Sequence, residues 1–366
     1  MPLPLVSVLA GKPIVVDGVR LETRSQLLIR LLAASGYPQV VVDSVDLSRR
    51  LFTRDPGPLG PPWRRLAKVA DARMYGPNGA LPVRIYQPSP NARSDSPALV
   101  YFHGGGWVIG SVETHDRLCR FLAHEVPCTV VSVDYRLAPE HRFPAAVDDA
   151  QFAYRWVLEQ SRSLGIRPDR VAVAGDSAGG NLAAVVCRQA ATSGEPQPCF
   201  QLLIYPATDL AFRSRSHEVY AEGFFLTHSA MRWFRDHYLP GEAAIDDPRA
   251  SPLRAATVRG LAPAFIMTAG FDPLRDEGRA YAEKLVAEGV PVRYRCYEPL
   301  IHGFASMCGA TPMALAAVRE GIDALRSAFA RHPNAPRPDQ LSAGPEASGA
   351  PSTGSRTAAP SGAETS

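Results

Sequence analysis

Lysine is nearly absent. The chain has three, at positions 12, 68 and 284, in 366 residues, and its other long-chain cations are arginines. Arginine set among abundant alanine and proline reads as the codon bias of a GC-rich genome, not as a basic patch. With a net charge of only +3, the composition makes no case for a nucleic-acid partner or a charged membrane surface. Long apolar runs are missing too. No window approaches the ~20 apolar residues of a spanning helix, so no membrane span is expected. The apolar start, Met1 to Val16, is broken by prolines and by Gly11-Lys12. It lacks the basic stretch and unbroken apolar core of a secretory leader. The six cysteines (119, 128, 187, 199, 296 and 308) include no Cys-x-x-Cys pair and no metal-ligand spacing. Several lie in apolar stretches, the setting of reduced core thiols. These absences together predict a cytoplasmic protein.

What is present is alternation. Hydrophobic residues make up 46% and charged residues 20%, the balance of a globular protein. The length allows one large α/β domain with insertions, or two domains. Residues 71–75 and 81–86 flank the turn Gly76-Pro77-Asn78-Gly79 and predict a hairpin. Short apolar segments follow at 98–102, 129–135, 170–174, 200–205, 264–269 and 291–297. Helical stretches between them include 148–164 and 276–288. Strands alternating with helices predict a mostly parallel sheet covered on both faces. No internal repeat is apparent.

Three regions stand outside that pattern. Residues 1 to about 60 predict helices at 26–34 and 44–52 before the Pro/Gly cluster of 55–62. Between Tyr205 and Ala264 lie almost sixty residues, too many for a structureless loop in a compact domain. Their aromatic runs, Gly223 to Leu226 and Met231 to Tyr238, predict an inserted helical segment whose rings partly pack together and partly face a substrate. The last helix, Pro312 to Ala330, puts Ala314, Val318, Ile322, Leu325 and Phe329 on one face. From His332 to Ser366 the chain is mostly Pro, Gly, Ser, Thr and Ala, the composition of a disordered tail.

The chemistry gathers at Val171 to Gly180. Val-Ala-Val-Ala predicts a buried strand, 181–191 a helix, and between them lies Gly-x-Ser-x-Gly: Gly175, Ser177 and Gly179. A strand turning sharply into a helix strains the turn residue and exposes its side chain, and the flanking glycines prevent backbone clashes. The turn also frees the Ala178 amide at a helix N-terminus, where negative charge is favoured. Upstream, after the apolar strand 98–102, stands His103-Gly104-Gly105-Gly106, a loop of the kind that turns amides towards a developing oxyanion. His-Gly-Gly-Gly-Trp followed by Gly-Asp-Ser-Ala-Gly-Gly-Asn resembles the bacterial hormone-sensitive-lipase-type esterases of the α/β-hydrolase superfamily. By motif order the resemblance covers about residues 60 to 331. It implies an α/β-hydrolase fold: a mostly parallel central sheet, helices on both faces and a helical cap. The cap would comprise 1–60 and 209–250, the core 61–208 and 251–331, and the tail 332–366.

A serine hydroxyl needs a base to take its proton, and the base needs an orienting carboxylate. In the α/β-hydrolase order the acid and then the histidine follow the serine. The segment 264–269 runs into Gly270-Phe271-Asp272-Pro273, which sets Asp272 just past a strand. Asp276, four residues on, reads as a charge at a helix start. His302 stands in the loop after the last strand, with Gly303 behind it. Histidines 115, 124, 141, 217, 228 and 237 precede the acid and read as surface or cap residues. The expected site is therefore Ser177 as nucleophile, His302 as base and Asp272 as its orienter. Gly105, Gly106 and Ala178 would donate to the oxyanion, Gly104 would shape the turn, and Asp176 would be a structural hydrogen-bonding residue. Tyr135 to Glu140 and Phe143 to Asp149 match the family's stretch after the fourth strand and read as structural.

The expected function is hydrolysis of small-molecule carboxylic esters with short to medium acyl chains, through an acyl-enzyme, without metal or organic cofactor. An amidase, lactonase or peptidase would use the same triad. A non-catalytic receptor on this fold, like the plant gibberellin receptors, lacks the histidine that this chain has at 302. A lipase working at lipid droplets would want a long apolar lid, and none is visible. The oligomeric state stays open, a homodimer being one option.

Overall fold

A computed structural model describes residues 3–34, 41, 44–53, 57–88 and 96–331. The tail expected from 332 onward lies outside them. Eight strands, β1 (Lys68–Gly76), β2 (Gly79–Gln87), β3 (Ser96–Phe102), β4 (Thr129–Val133), β5 (Ile166–Asp176), β6 (Gln201–Ile204), β7 (Ala264–Phe271) and β8 (Val292–Ile301), make one sheet. Its order is β8-β7-β6-β5-β3-β4-β2-β1. The expected hairpin is β1–β2, paired antiparallel with Gly76 opposite Gly79, and β2 runs antiparallel to β4. Every pairing from β4 across to β8 is parallel.

Before the sheet come α1 (Leu3–Ala10), α2 (Thr23–Ala34) and α3 (Val45–Phe52). Ser44 caps α3 by accepting the Leu47 amide, which fits the preference for Ser at a helix N-cap. Between and after the strands lie α4 (Asp116–Glu125), α5 (Ala145–Glu159), α6 (Ser161–Leu164) and α7 (Ala178–Ser193). Then follow α8 (Arg215–Val219), α9 (His228–Tyr238), α10 (Arg275–Ala287) and α11 (Pro312–Ala330). The single helix expected over 148–164 is thus two, separated at Gln160 and closed by Gly165 in the left-handed conformation. Among the described residues no helix is long and apolar enough to cross a membrane.

Strand β3 shows why helices cover both faces. Ala98 to Phe102 are all fully buried, although successive side chains on a strand point opposite ways. Ala98, Val100 and Phe102 join the core that contains α5, α7 and α10. Leu99 and Tyr101 join the one that contains α4 and α11. Each large apolar side chain so enclosed contributes about 1.5–3 kcal/mol. The whole expected face of α11 is buried in that second core. With both sides sealed, the rim at the strands' C-terminal ends is left for chemistry.

Candidate active site

Strand β5 delivers Ser177. The strand ends at Asp176 and α7 begins at Ala178, so one residue makes the whole turn. Its φ of 57° and ψ of −119° are a conformation that costs a non-glycine residue of order 1–3 kcal/mol. Close packing imposes it. A Cβ on Gly175 would strike the Gly179 carbonyl, and one on Gly179 would strike the Phe102 carbonyl oxygen. The two motif glycines let β3, β5 and α7 approach, and the serine projects into a cavity.

Asp272 follows β7 and His302 follows β8. His302 Nδ1 lies 2.7 Å from Asp272 Oδ2, and its Nε2 lies 3.1 Å from Ser177 Oγ. Asp272 is fully buried, and its other oxygen accepts the Leu274 amide at 2.9 Å. Both carboxylate oxygens are thereby occupied and the group cannot turn. With Nδ1–H given to Asp272, the Nε2 lone pair faces the serine hydroxyl. The Tyr205 ring packs on the imidazole at 4.6 Å between centroids. Asp276 is elsewhere: in the first turn of α10 it accepts the Ser216 amide at 2.9 Å and pairs with Arg275 at 2.7 Å.

Around this trio the amides of Gly105, Gly106 and Ala178 donate to no acceptor among the described residues. Their directions are fixed by their own peptide planes, because in a planar trans peptide the carbonyl and the following amide point opposite ways. The Gly104 carbonyl accepts His103 Nδ1–H at 2.8 Å, which aims the Gly105 amide. The Gly105 carbonyl accepts the Val108 and Ile109 amides at 3.1 and 2.9 Å, which aims that of Gly106. The Ser177 carbonyl accepts the Asn181 amide at 3.0 Å, which aims that of Ala178. Burial, and next to it His115, push His103 down to about 3. It stays neutral at pH 7, with its proton on the nitrogen that the Gly104 carbonyl needs. Gly105 and Gly106 have φ of 121° and 58°, open to glycine at little cost.

The sequence profile of the α/β-hydrolase fold matches residues 99–306. The chain belongs to the hormone-sensitive-lipase-type α/β-hydrolases. The carboxylic ester hydrolase LipN of Mycobacterium tuberculosis is 42% identical over 339 residues, 90% of this chain and 89% of its own. The ethyl acetate hydrolase of Pseudomonas putida is 43% identical over 246 residues, 65% of this chain and 76% of its own. Among solved structures, the ester hydrolase EH1AB1 from the Lake Arreo metagenome, complexed with a bipyridine phosphonate derivative, has a TM-score of 0.81 at 42% identity. That match covers 84% of this chain and 99% of the other.

In this α/β-hydrolase the cavity above Ser177 holds about 310 Å³, towards the small end of ligand sites. Its walls come from three places: the core, the N-terminal helices through Leu32, Leu51 and Phe52, and the 209–250 segment. That segment contributes Leu210, Phe212, Phe225, Leu226, Met231 and Phe234. Apart from Asp176, His115 and His302, no titratable side chain lines it among the described residues. No three His, Cys, Asp or Glu side chains among those residues gather as a metal site would require.

One histidine is not where the sequence suggested: His115, expected at the surface or in the cap, precedes α4 and is only 2% exposed. His217 does lie in the 209–250 segment, and it too is 2% exposed. Each is paired with a buried carboxylate, Asp176 at 3.1 Å and Glu277 at 2.8 Å, and such pairing is what makes a buried imidazole tolerable. His124 and His141 are exposed as expected. The stretch from Tyr135 also gains a role. Tyr135 donates its hydroxyl to the His103 carbonyl at 2.8 Å and stacks on the His103 ring at 4.2 Å, directly behind the glycine loop. Arg49 of α3 had no signal at all. It donates to the carbonyls of Val108 and Ala138, both at 2.9 Å, and to both oxygens of Glu140. One arginine thus fastens the helix that carries Leu51 and Phe52 to the loop that carries the glycines.

Proposed function

We propose that this carboxylic ester hydrolase cleaves short- to medium-chain acyl esters through Ser177, with His302 as base and then acid. One observation carries the reading. A continuous hydrogen-bond path from buried Asp272 through His302 ends on a strained serine at the floor of an apolar cavity. Ser177 Oγ attacks the ester carbonyl carbon while His302 Nε2 takes the hydroxyl proton. The carbonyl oxygen becomes an anion facing the amides of Gly105, Gly106 and Ala178; one such donor is worth about 10²–10³ in turnover. Asp272 stabilises the imidazolium, which gives its proton to the departing alkoxide as the C–O bond breaks. Water then attacks the acyl-serine with His302 again as base, the acid leaves, and Ser177 regains its proton.

Residues 1–60 and 209–250 serve as two halves of a cap, since both supply walls of the cavity. The apolar walls favour uncharged acyl and alcohol groups, and the modest volume favours short ones, in keeping with the relative named for ethyl acetate. All six cysteines are free, and burial pushes their thiols up. Unpaired, unreactive thiols support a reducing cytoplasm as the working compartment.

The test is Ser177→Ala assayed on a soluble short-chain nitrophenyl ester. Turnover should vanish while circular dichroism and melting stay those of the parent. A folded variant that still hydrolyses the ester at the parental rate would sink the reading.

A further inference from the structure

We propose that His115 is a positioning residue of the oxyanion loop, acting through Asp176 on the amide of Gly104. The proposal rests on the reading of Gly105 and Gly106 as oxyanion donors and adds the part that holds them still.

Asp176 is the chain neighbour of Ser177, yet its side chain belongs to the glycine loop. One carboxylate oxygen accepts the Tyr101 hydroxyl at 2.7 Å and the Gly104 amide at 3.0 Å, and it lies 3.1 Å from His115 Nε2. The Gly104 amide nitrogen also lies 3.3 Å from His115 Nε2, farther than from the carboxylate. A bare Nε2 facing a carboxylate oxygen at 3.1 Å would repel it, so the proton sits on Nε2 and is donated to Asp176, and the Gly104 amide keeps its shorter bond to the same oxygen. His115 Nδ1 lies 2.8 Å from the Thr114 hydroxyl oxygen, which sets the ring's rotation. The His115 carbonyl accepts the Cys119 amide at 2.9 Å, which anchors the residue to α4. Gly104 has no room to shift, since a Cβ there would strike the Asp176 carboxylate. The peptide joining His103 to Gly104 is thus held on both sides, its amide by Asp176 and its carbonyl by Tyr135. The next two amides of the chain are the proposed oxyanion donors. Burial raises the Asp176 carboxyl, but His115 and Tyr101 outweigh it and hold it below the ordinary carboxylate range. It remains an anion, able to grip the loop.

Removing His115 takes one of three donors from a buried carboxylate, which then turns, and the glycine loop turns with it. Because the oxyanion exists only in the transition state, the loss falls on kcat and not on KM. The experiment compares His115→Leu, which has no donor, with His115→Gln, whose amide reaches Asp176, on a soluble butyrate ester. The expected result for His115→Leu is kcat lower by about 10- to 100-fold, below the loss of a whole oxyanion donor, with KM nearly unchanged. Affinity for a trifluoromethyl ketone analogue should fall by the same factor, and the pH midpoint of the acid limb of kcat should not move. His115→Gln should recover most of the rate. If His115→Leu does not fold, His115→Asn, too short to reach, takes its place against His115→Gln. Unchanged kcat in a folded donor-less variant, a loss confined to KM, or no recovery with Gln each overturns the proposal. Turnover that survives Ser177→Ala would instead overturn the reading beneath it, whatever the His115 variants do.

Discussion

Ser177 is flanked by two histidine–aspartate pairs built from the same chemistry. In the first, Asp272 is 95 positions away in the chain, and His302 stands between it and the serine hydroxyl, at 2.7 and 3.1 Å. In the second, Asp176 is adjacent in the chain, His115 lies behind it at 3.1 Å, and the carboxylate itself meets the Gly104 amide. Both aspartates are buried, at 0% and 4% exposure. They differ in what stands at the open end. A hydroxyl can surrender its proton to an imidazole, whereas a peptide amide keeps its proton and can only be aimed. A His–Asp pair beside the serine is therefore placed as a relay only when the imidazole stands between the carboxylate and that serine's hydroxyl. His302 stands there, between Asp272 and Ser177, whereas at the second pair the carboxylate faces the Gly104 amide and His115 stands behind it, its other nitrogen against Thr114.

The sharpest way to break that comparison is to blunt each aspartate in the same way. Asp272→Asn should lower kcat by about 10⁴ while the protein stays folded, because the base loses its tautomer and its counter-charge. Asp176→Asn should lower it by about 10², the scale of one weakened oxyanion donor. Asp276→Asn, remote from the serine, should leave kcat within about twofold, as substitutions outside the reacting geometry do. Steady-state kinetics on one soluble ester would decide. Equal losses at 272 and 176 would mean that the two pairs do not divide the work as their geometry suggests.

Why the first pair was legible in the sequence and the second was not follows from the range of the signals. Ser177 announces itself locally, through a strand, two glycines and a helix. Asp272 and His302 each follow an apolar strand in the order the chemistry requires, and α11 declared its buried face by spacing alone. His115 gives no local sign. It precedes a helix like many surface residues, and its burial depends on a carboxylate 61 positions later. His217 likewise depends on Glu277, 60 positions on, and Arg49 on acceptors 59 to 91 positions away. Periodicity reports apolar burial, but a buried polar group is specified by its partner, and a single sequence does not print partners. For the same reason the aromatic run of the 209–250 segment could not be sorted in advance. Phe225 and Phe234 reach the cavity, while Phe224 packs with Tyr220 and Phe271.

A smaller effect sharpens the comparison by touching neither pair. If the cap closes the cavity, each added acyl methylene contributes about 0.8 kcal/mol, roughly fourfold in kcat/KM, until the space is full. Beyond that the extra carbons stay in water or clash. Rates measured in two-carbon steps, below micelle formation, should peak at short to medium chains and then fall. Phe212→Ala and Phe225→Ala should move the peak to longer chains without lowering kcat for the shortest ester. A rate that keeps climbing into long-chain esters, with activation at an oil–water interface, would favour a lipase and remove the finite pocket.

A third pair, where kcat should again barely change, serves as the control for the other two. His217 and Glu277 are both 2% exposed and 2.8 Å apart, so they match the flanking pairs in burial and contact. Glu277 also accepts the Thr208 and Asp209 amides at 2.6 and 3.1 Å, which ties the start of the 209–250 segment to α10. No bond in this set reaches Ser177, His302 or the glycine loop. In Glu277→Gln the side-chain carbonyl can keep both amides. The new amide group meets His217 Nε2, which must then accept, and the imidazole proton moves to Nδ1, a buried atom without a partner. That leaves one imperfectly satisfied polar group, a cost of about 1–3 kcal/mol. The variant should melt lower than the parent. KM should rise a few-fold, as Leu210 and Phe212 loosen at the cavity wall, and kcat should stay within about twofold because the reacting geometry is untouched. Thermal melting and steady-state kinetics on the same preparation would test both halves. If kcat instead fell as far as in Asp176→Asn, a buried His–carboxylate pair would affect turnover wherever it sits, through general rigidity. The aimed Gly104 amide would then explain nothing that overall stability does not.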